Sequence, residues 1–325
     1  MNAPIQPAMP YPMTFGQILD RIYRLMRSQF KLFLSIASLP MAAFILLYAL
    51  FFAIIFIPII SHMPAQPDLS EIFKIFPMAF LILTPLFLAV FSFYLTASIH
   101  AALQAHQGVS VTFRESYQVA WQGFGRSFWL LTLCYLIAFL PMLLIELPLF
   151  ACMKLIAVQD AAPAPALFFL LPLGILLLFA AMVYGLIIAM RLSLAFPASL
   201  AEGLTAREAI RRSGQLTKGA KGRIFLVLLV IYALGYAAEM AGFLVLAAII
   251  GVGALIMMAF HVTLLSVAGI AGVVLGVLCI LAFLFLWIAL FWAAFSTAFA
   301  VLYHDQRLRK EGPPTAPAGS EVSQA

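Results

Sequence analysis

Two glutamates in this chain stand inside long apolar stretches, in Leu144-Ile145-Glu146-Leu147 and Ala237-Ala238-Glu239-Met240. A carboxylate at the centre of a bilayer costs roughly 3 kcal/mol on insertion scales, so it faces a bundle interior, a cavity or an interface. Each lies 34 residues after a threonine, Thr112 and Thr205, and Tyr48 lies 34 residues after Thr14. The chain has only 12 acidic residues, so two at equivalent places suggest a shared role. Glu146, Glu239 and the Tyr48 hydroxyl form a candidate polar pocket toward the outer leaflet. The competing reading has Glu239 protonated against a backbone carbonyl and Glu146 at the interface.

The other isolated groups carry less. Arg191 is placed near the cytoplasmic end of an apolar stretch, where its long stem can snorkel to the surface or its guanidinium can bind a lipid phosphate. His100 and His304 each precede a glycine, Gly108 and Gly312, by eight residues, but no acidic partner accompanies them at metal-ligand spacing. Cys134, Cys152 and Cys279 sit in apolar surroundings at wide spacing and read as packing residues, not as a disulfide framework or a zinc site. Ala268-Gly269 and Gly272-Val273-Val274-Leu275-Gly276 make a small-residue stripe suited to close helix packing. Nucleophile elbow, phosphate-binding glycine loop, HExxH and CxxC patterns are absent. No catalytic residue, metal ligand or cofactor is therefore expected.

The elements that carry these residues follow from composition. Apolar residues make up 65% and charged residues 9% of the 325. A soluble domain carries about 25% charged residues, so the solvent for this surface is lipid. No stretch of ordinary polarity is long enough for a separate soluble catalytic domain. Spanning a bilayer takes about 20 apolar residues, and six stretches qualify, near 32–60, 75–102, 127–153, 165–196, 224–258 and 264–303. Of the 18 Lys and Arg, only Lys74 and Lys154 fall near the loops after the first, third and fifth spans. Positive charge marks cytoplasmic loops, so both termini are expected inside. The start, Met1 to Pro12, lacks the pattern of a signal peptide, and the first span is expected to stay as an anchor.

Three capping boxes order these spans. Thr14-Phe15-Gly16-Gln17, Thr112-Phe113-Arg114-Glu115 and Thr205-Ala206-Arg207-Glu208 each pair a threonine with Gln or Glu three residues on. A basic helical stretch follows each box, then a long apolar stretch. The first two stretches are amphipathic, and the third is less so but most basic. The stretches close alike, at Gln107-Gly108, Glu202-Gly203 and Glu311-Gly312, where glycine suits the positive φ just past a helix end. The expected fold is an all-α integral membrane protein, with six transmembrane helices arranged as three parallel repeats of an interfacial helix plus a transmembrane hairpin. The repeats are read as about 13–108, 111–203 and 204–312 within a membrane domain 13–312, flanked by disordered tails 1–12 and 313–325.

Three segments resemble a known group: Thr14-Phe15-Gly16-Gln17-Ile18-Leu19-Asp20-Arg21, Glu202-Gly203-Leu204-Thr205-Ala206-Arg207-Glu208-Ala209-Ile210-Arg211-Arg212-Ser213 with Leu216-Thr217-Lys218-Gly219, and Leu302-Tyr303-His304-Asp305-Gln306-Arg307-Leu308-Arg309-Lys310-Glu311-Gly312. Together they resemble the membrane domain attached to some bacterial glycerophosphoryl diester phosphodiesterases, which also occurs alone in uncharacterised membrane proteins. The resemblance implies a bacterial plasma membrane protein. It implies no phosphodiesterase activity, because that chemistry belongs to a separate soluble barrel.

The functional expectation is a non-enzymatic polytopic membrane protein, a lipid-interacting scaffold or partner-binding module. Its basic residues lie beside the spans, which favours anionic lipid over nucleic acid, at about 1 kcal/mol per basic residue near the surface. The candidate headgroup contacts are Arg21, Arg24, Arg27, Arg191, Arg211, Arg212, Lys218, Lys221 and Arg223. The alternative is a transporter or lipid-translocating protein whose path is lined by Glu146, Glu239 and Tyr48.

Overall fold

The computed structural model describes residues 11–61, 69–158, 165–260 and 267–312. Apart from Tyr11 and Pro12, the two expected tails lie outside these residues, as do the connections after the first, third and fifth spans. The described chain is helical throughout: α1 (Phe15–Ser28), α2 (Phe30–Ser61), α3 (Leu69–His106), α4 (Phe113–Gln122), α5 (Phe124–Val158), α6 (Pro165–Leu192), α7 (Ala195–Glu202), α8 (Ala206–Thr217), α9 (Lys221–Ala259) and α10 (Val267–Glu311). Six of these, α2, α3, α5, α6, α9 and α10, are long and apolar enough to cross a membrane. The chain is a polytopic membrane protein by that architecture.

The fourth span is shorter than its apolar run. It stops at Leu192, and α7 starts afresh at Ala195. Pro197 is the cause, since it has no N–H for the Ser193 carbonyl and its ring crowds that oxygen. Ser213 of α8 fills the gap: its hydroxyl donates to the Arg191 carbonyl at 2.7 Å and accepts the Leu194 N–H at 3.2 Å.

The capping boxes form where expected. Thr14 accepts the Gln17 N–H while Gln17 takes the Thr14 N–H at 2.7 Å. Thr112 and Glu115 repeat the exchange. At α8 the Glu208 carboxylate takes both the N–H and the hydroxyl of Thr205, at 2.9 and 2.7 Å. The closing glycines take positive φ, 83° at Gly108, 67° at Gly203 and 78° at Gly312. Against expectation, α8 is a well-formed amphipathic helix. Its buried face is made of small residues, Ala206, Ala209 and Ser213, with Leu216 and Thr217, which a search for large apolar side chains overlooks.

The core gathers at the end of the bundle that carries the short helices. It takes Ile18, Ile22 and Leu25 from α1, Phe33 and Ile36 from the start of α2, and Tyr94 to Ala105 from the end of α3. Leu194 to Ala198, and Ala293 to Tyr303 near the end of α10, complete it. Alanines at 97, 101, 105, 195, 198, 293 and 300 are fully or almost fully buried there, so backbones come close. The buried hydroxyls of Thr96, Thr217 and Thr297 each donate to the carbonyl four residues back, whereas that of Ser296 has no partner among the described residues.

The short helix α1 lies on α10, α4 on α3, and α8 on α7, α5 and α6. The long helices α2 and α5 lie against α10 and α3 respectively, and α9 pairs with α10. Away from the core end the helices present themselves to lipid. In the most apolar stretch of α3, 44% of residues are buried inside the molecule, against 6% in α5, α9 and α10.

The α9–α10 pair meets through glycines. A Cβ at Gly235 would stand 2.5 Å from the Phe291 ring, and one at Gly242 2.2 Å from Phe283. The Trp287 indole N–H also donates to the Gly235 carbonyl at 3.2 Å. Of the expected stripe, Gly269 is buried, Gly272 faces the Met257 sulfur, and Gly276 faces open space.

Candidate functional site: a basic interfacial belt and an aromatic cavity

The short helices bring charged side chains to one end, and there they divide into two sets. One set is spent on closing the fold. Asp305 is fully buried and accepts the Met13 N–H at 2.8 Å and the Arg309 Nε at 3.0 Å. Arg223 approaches the same carboxylate at 3.6 Å. Arg309 also donates to the Met13 carbonyl at 2.7 Å, as does Arg223. One residue near the start of the chain is thus held by the last helix. A buried carboxylate is tolerated only when paired and hydrogen-bonded, and Asp305 has both.

A second closing cluster joins α7, α8 and α10. Arg212 meets Glu202 at 3.0 Å and also pairs with Glu311, while the Tyr303 hydroxyl donates to Glu202 at 2.7 Å and Arg307 reaches Glu311 at 3.0 Å. Burial opposes the charge on Arg212, but the two carboxylates outweigh it and hold the guanidinium above its ordinary pKa. Arg21 belongs here too: it donates to the His106 carbonyl at 2.9 Å, and burial, with Arg24 beside it, lowers its pKa. Arg24 itself pairs with Asp20 at 2.8 Å in the open.

The second set forms an exposed belt. Arg27, Lys31, Arg114, Arg191, Arg207, Arg211, Lys218 and Lys221 all present exposed side chains. The Arg191 guanidinium lies over Gly214 of α8, where a Cβ would come within 3.1 Å of it. Arg114 stands out within a recess of about 550 Å³, with Phe93, Tyr117, Gln118, Trp121 and Gln122 around it. Tyr117 anchors this recess by donating to the Ile36 carbonyl at 2.7 Å, and burial pushes its phenol up to about 12. Arg114, Gln118 and Gln122 follow one face of α4 at four-residue spacing, a signal available in the sequence. Of the nine arginines and lysines expected at lipid headgroups, Arg27, Arg191, Arg211, Lys218 and Lys221 are exposed, Arg24 is exposed but paired with Asp20, and Arg21, Arg212 and Arg223 are bound within the molecule.

The intramembrane candidates fall in separate surroundings. Tyr48 lines an apolar cavity of about 670 Å³ between α2, α3, α5 and α10, where its ring meets Phe87 at 5.0 Å. Neither Glu146 nor Glu239 lines that cavity. The carboxylates are half-buried on α5 and α9, and neither has a hydrogen-bond or ion-pair partner among the described residues. The helices α2, α5 and α9 are not closely packed on one another.

His304 meets His106, with ring centroids 4.9 Å apart, while His100 stands apart with its Nδ1 buried and unpartnered. Among the described residues no group of three His, Cys, Asp or Glu could hold a metal ion. Cys134 packs against the core and Cys279 faces outward. The Cys152 side chain lies outside the description. No protein-family model, curated protein or solved structure matches the chain.

Proposed function

We propose that this chain is a non-enzymatic membrane module that holds anionic lipid headgroups at its basic end and presents that end as a scaffold. The observation that carries the proposal is the division of charge. One set of cations is consumed in the Asp305 and Glu202–Glu311 clusters, while the belt from Arg27 to Lys221 is left to solvent at the same end of the bundle. Cations that close a fold are already satisfied. Exposed cations beside apolar spans have the phosphates of a bilayer surface as their natural partners. On this reading the basic end is cytoplasmic, the termini are inside, and the membrane is a bacterial plasma membrane. The last point rests on the resemblance to the phosphodiesterase-linked membrane domain.

The same proposal includes three parallel units, each a short helix plus a hairpin. Two features support it. Each short helix lies on the close of the unit before it, with α1 on α10 completing the circle. Each unit also ends at a glycine of positive φ. The acidic transport path receives no such support, since its three side chains lie in separate surroundings.

Thermal unfolding of the purified chain with added lipid tests the headgroup grip. Phosphatidylglycerol is expected to raise the midpoint more than phosphatidylcholine does, and the difference should shrink as salt screens the belt. Replacing Arg207, Arg211, Lys218 and Lys221 by Gln should remove most of the difference. Equal stabilisation by both lipids at low salt would overturn the proposal.

A further inference from the structure

The aromatic cavity lies on the other side of the core from the basic belt and has a different chemistry. Its walls include Phe44, Phe87, Phe91 and Trp292, and no charged side chain lines it. Phe91 and Trp292 meet edge to face at 4.7 Å, and Phe44 stacks on Phe87 at 5.9 Å, so the lining is held by ring-on-ring packing between α2, α3 and α10. Its volume, about 670 Å³, falls within the roughly 300–1,000 Å³ of small apolar ligand sites.

Depth can be read along α2. At ~1.5 Å per residue, Met41 stands ~16 Å and Tyr48 ~27 Å from Phe30 at the basic end. The hydrocarbon layer is ~30 Å thick. The cavity therefore runs from mid-bilayer into the half away from the basic end, where α2 continues beyond Tyr48 to Ser61. At that upper end stands the Tyr48 hydroxyl, which has no protein hydrogen-bond partner among the described residues. In lipid an unmet donor is costly, and an ester carbonyl would meet it.

We propose that this cavity seats one acyl chain of a phospholipid from the leaflet opposite the basic belt, with its ester near Tyr48. The absence of lining charge excludes a headgroup or an ionic solute. The rigid aromatic walls suit an alkyl chain, and the surrounding solvent supplies one. The inference goes beyond the headgroup grip and does not depend on it, because the chain is recognised by apolar contact and a neutral hydroxyl.

The test uses the full chain in detergent, titrated with phosphatidylcholine that carries a diazirine midway along one acyl chain. After illumination, adducts are counted and mapped by mass spectrometry. Labelling should saturate near one adduct per chain and map to Met41, Phe44, Leu83 and Phe87, not to Leu234, Leu244 and Leu278, which are 65%, 72% and 56% exposed. Leu83→Trp, which fills the cavity, should abolish saturable labelling. Tyr48→Phe, which removes one hydroxyl, should raise the half-saturating concentration about five-fold. Added salt should leave both results unchanged, whereas the headgroup grip is salt-dependent. Labelling that rises without saturation and follows exposure would overturn the proposal, as would saturable labelling that persists in Leu83→Trp. Should Leu83→Trp fail to fold, an unchanged half-saturation for Tyr48→Phe overturns it alone.

Discussion

The basic end and the far halves of the spans are built from the same kind of helix but held by different forces. At the basic end, small buried residues, threonine hydroxyls bonded along their own helices and enclosed ion pairs make a core like that of a soluble protein. In the far halves, where only 6% of the most apolar stretch of α9 or α10 is buried, lipid is the solvent and the hydrophobic effect no longer drives helices together. There the helices meet mainly by shape, ring against glycine, with the Trp287–Gly235 hydrogen bond beside it. Specific structure is thus concentrated where water can reach, and the membrane-embedded halves are left adaptable.

Four substitutions and one titration put that contrast at risk. The largest effect is expected for Asp305→Ala, which strands the Met13 N–H and leaves Arg309 and Arg223 without their carboxylate. It should cost about 3 kcal/mol, read as a large drop in thermal midpoint. A drop no larger than that of an exposed substitution would show that the basic end is not the stable region. Next comes Gly242→Leu, which drives into Phe283 and should cost about 2 kcal/mol. Spin labels on α9 and α10 should then move apart while the Asp305 cluster stays intact.

Arg212→Met removes the link between Glu202 and Glu311. Because the pairs are partly exposed, the expected loss is only about 1 kcal/mol. Gly276→Leu should change stability by less than about 0.5 kcal/mol, since nothing lies within 4 Å of its Cβ position. A larger loss would reveal a contact on the outward face of α10.

The finest test compares the three caps. Hydrogen bonds from the Thr112 N–H and then the Thr112 hydroxyl lower the Glu115 pKa, and the Thr205 hydroxyl and then its N–H lower that of Glu208. A depressed carboxylate contributes stability above its unfolded pKa of about 4.3, and that contribution is lost as pH falls through the folded value below it. Amide exchange at the starts of α4 and α8 should therefore quicken, relative to the intrinsic rate, as pH falls below about 4. The start of α1, capped by Gln17, has no charge to lose and should not respond. Equal response at all three would assign the effect to the core instead.

Much of the fold was legible in the residues. The six apolar runs, the three threonine boxes and the closing glycines all leave local signals, because capping and positive φ are set within a few residues. The break at Ser193 was hidden, although Pro197 announces it, because an apolar run masks a helix end. The face of α8 was hidden because Ala and Ser carry little hydropathy. The division of the cations was invisible for another reason: Arg212 and Arg223 look like Arg211 and Lys221 until residues as far apart as 13 and 305 are brought together. The cavity follows the same rule. Its aromatics come from four helices; Phe44, Tyr48 and Phe51 share one face of α2 and Phe87 and Phe91 one face of α3, but only the fold brings those faces together.

The hold of Asp305 and Arg309 on Met13 also sets an order of events during synthesis. These residues are 292 and 296 positions apart, which at about 5–20 residues per second is a delay of roughly fifteen seconds to a minute. Through that interval α1 can reach only its earlier partners, the His106 carbonyl of α3 and later Arg223 of α9. The latch on Met13 is therefore completed only when α10 is made, and a nascent chain cut short before Asp305 would lack that carboxylate.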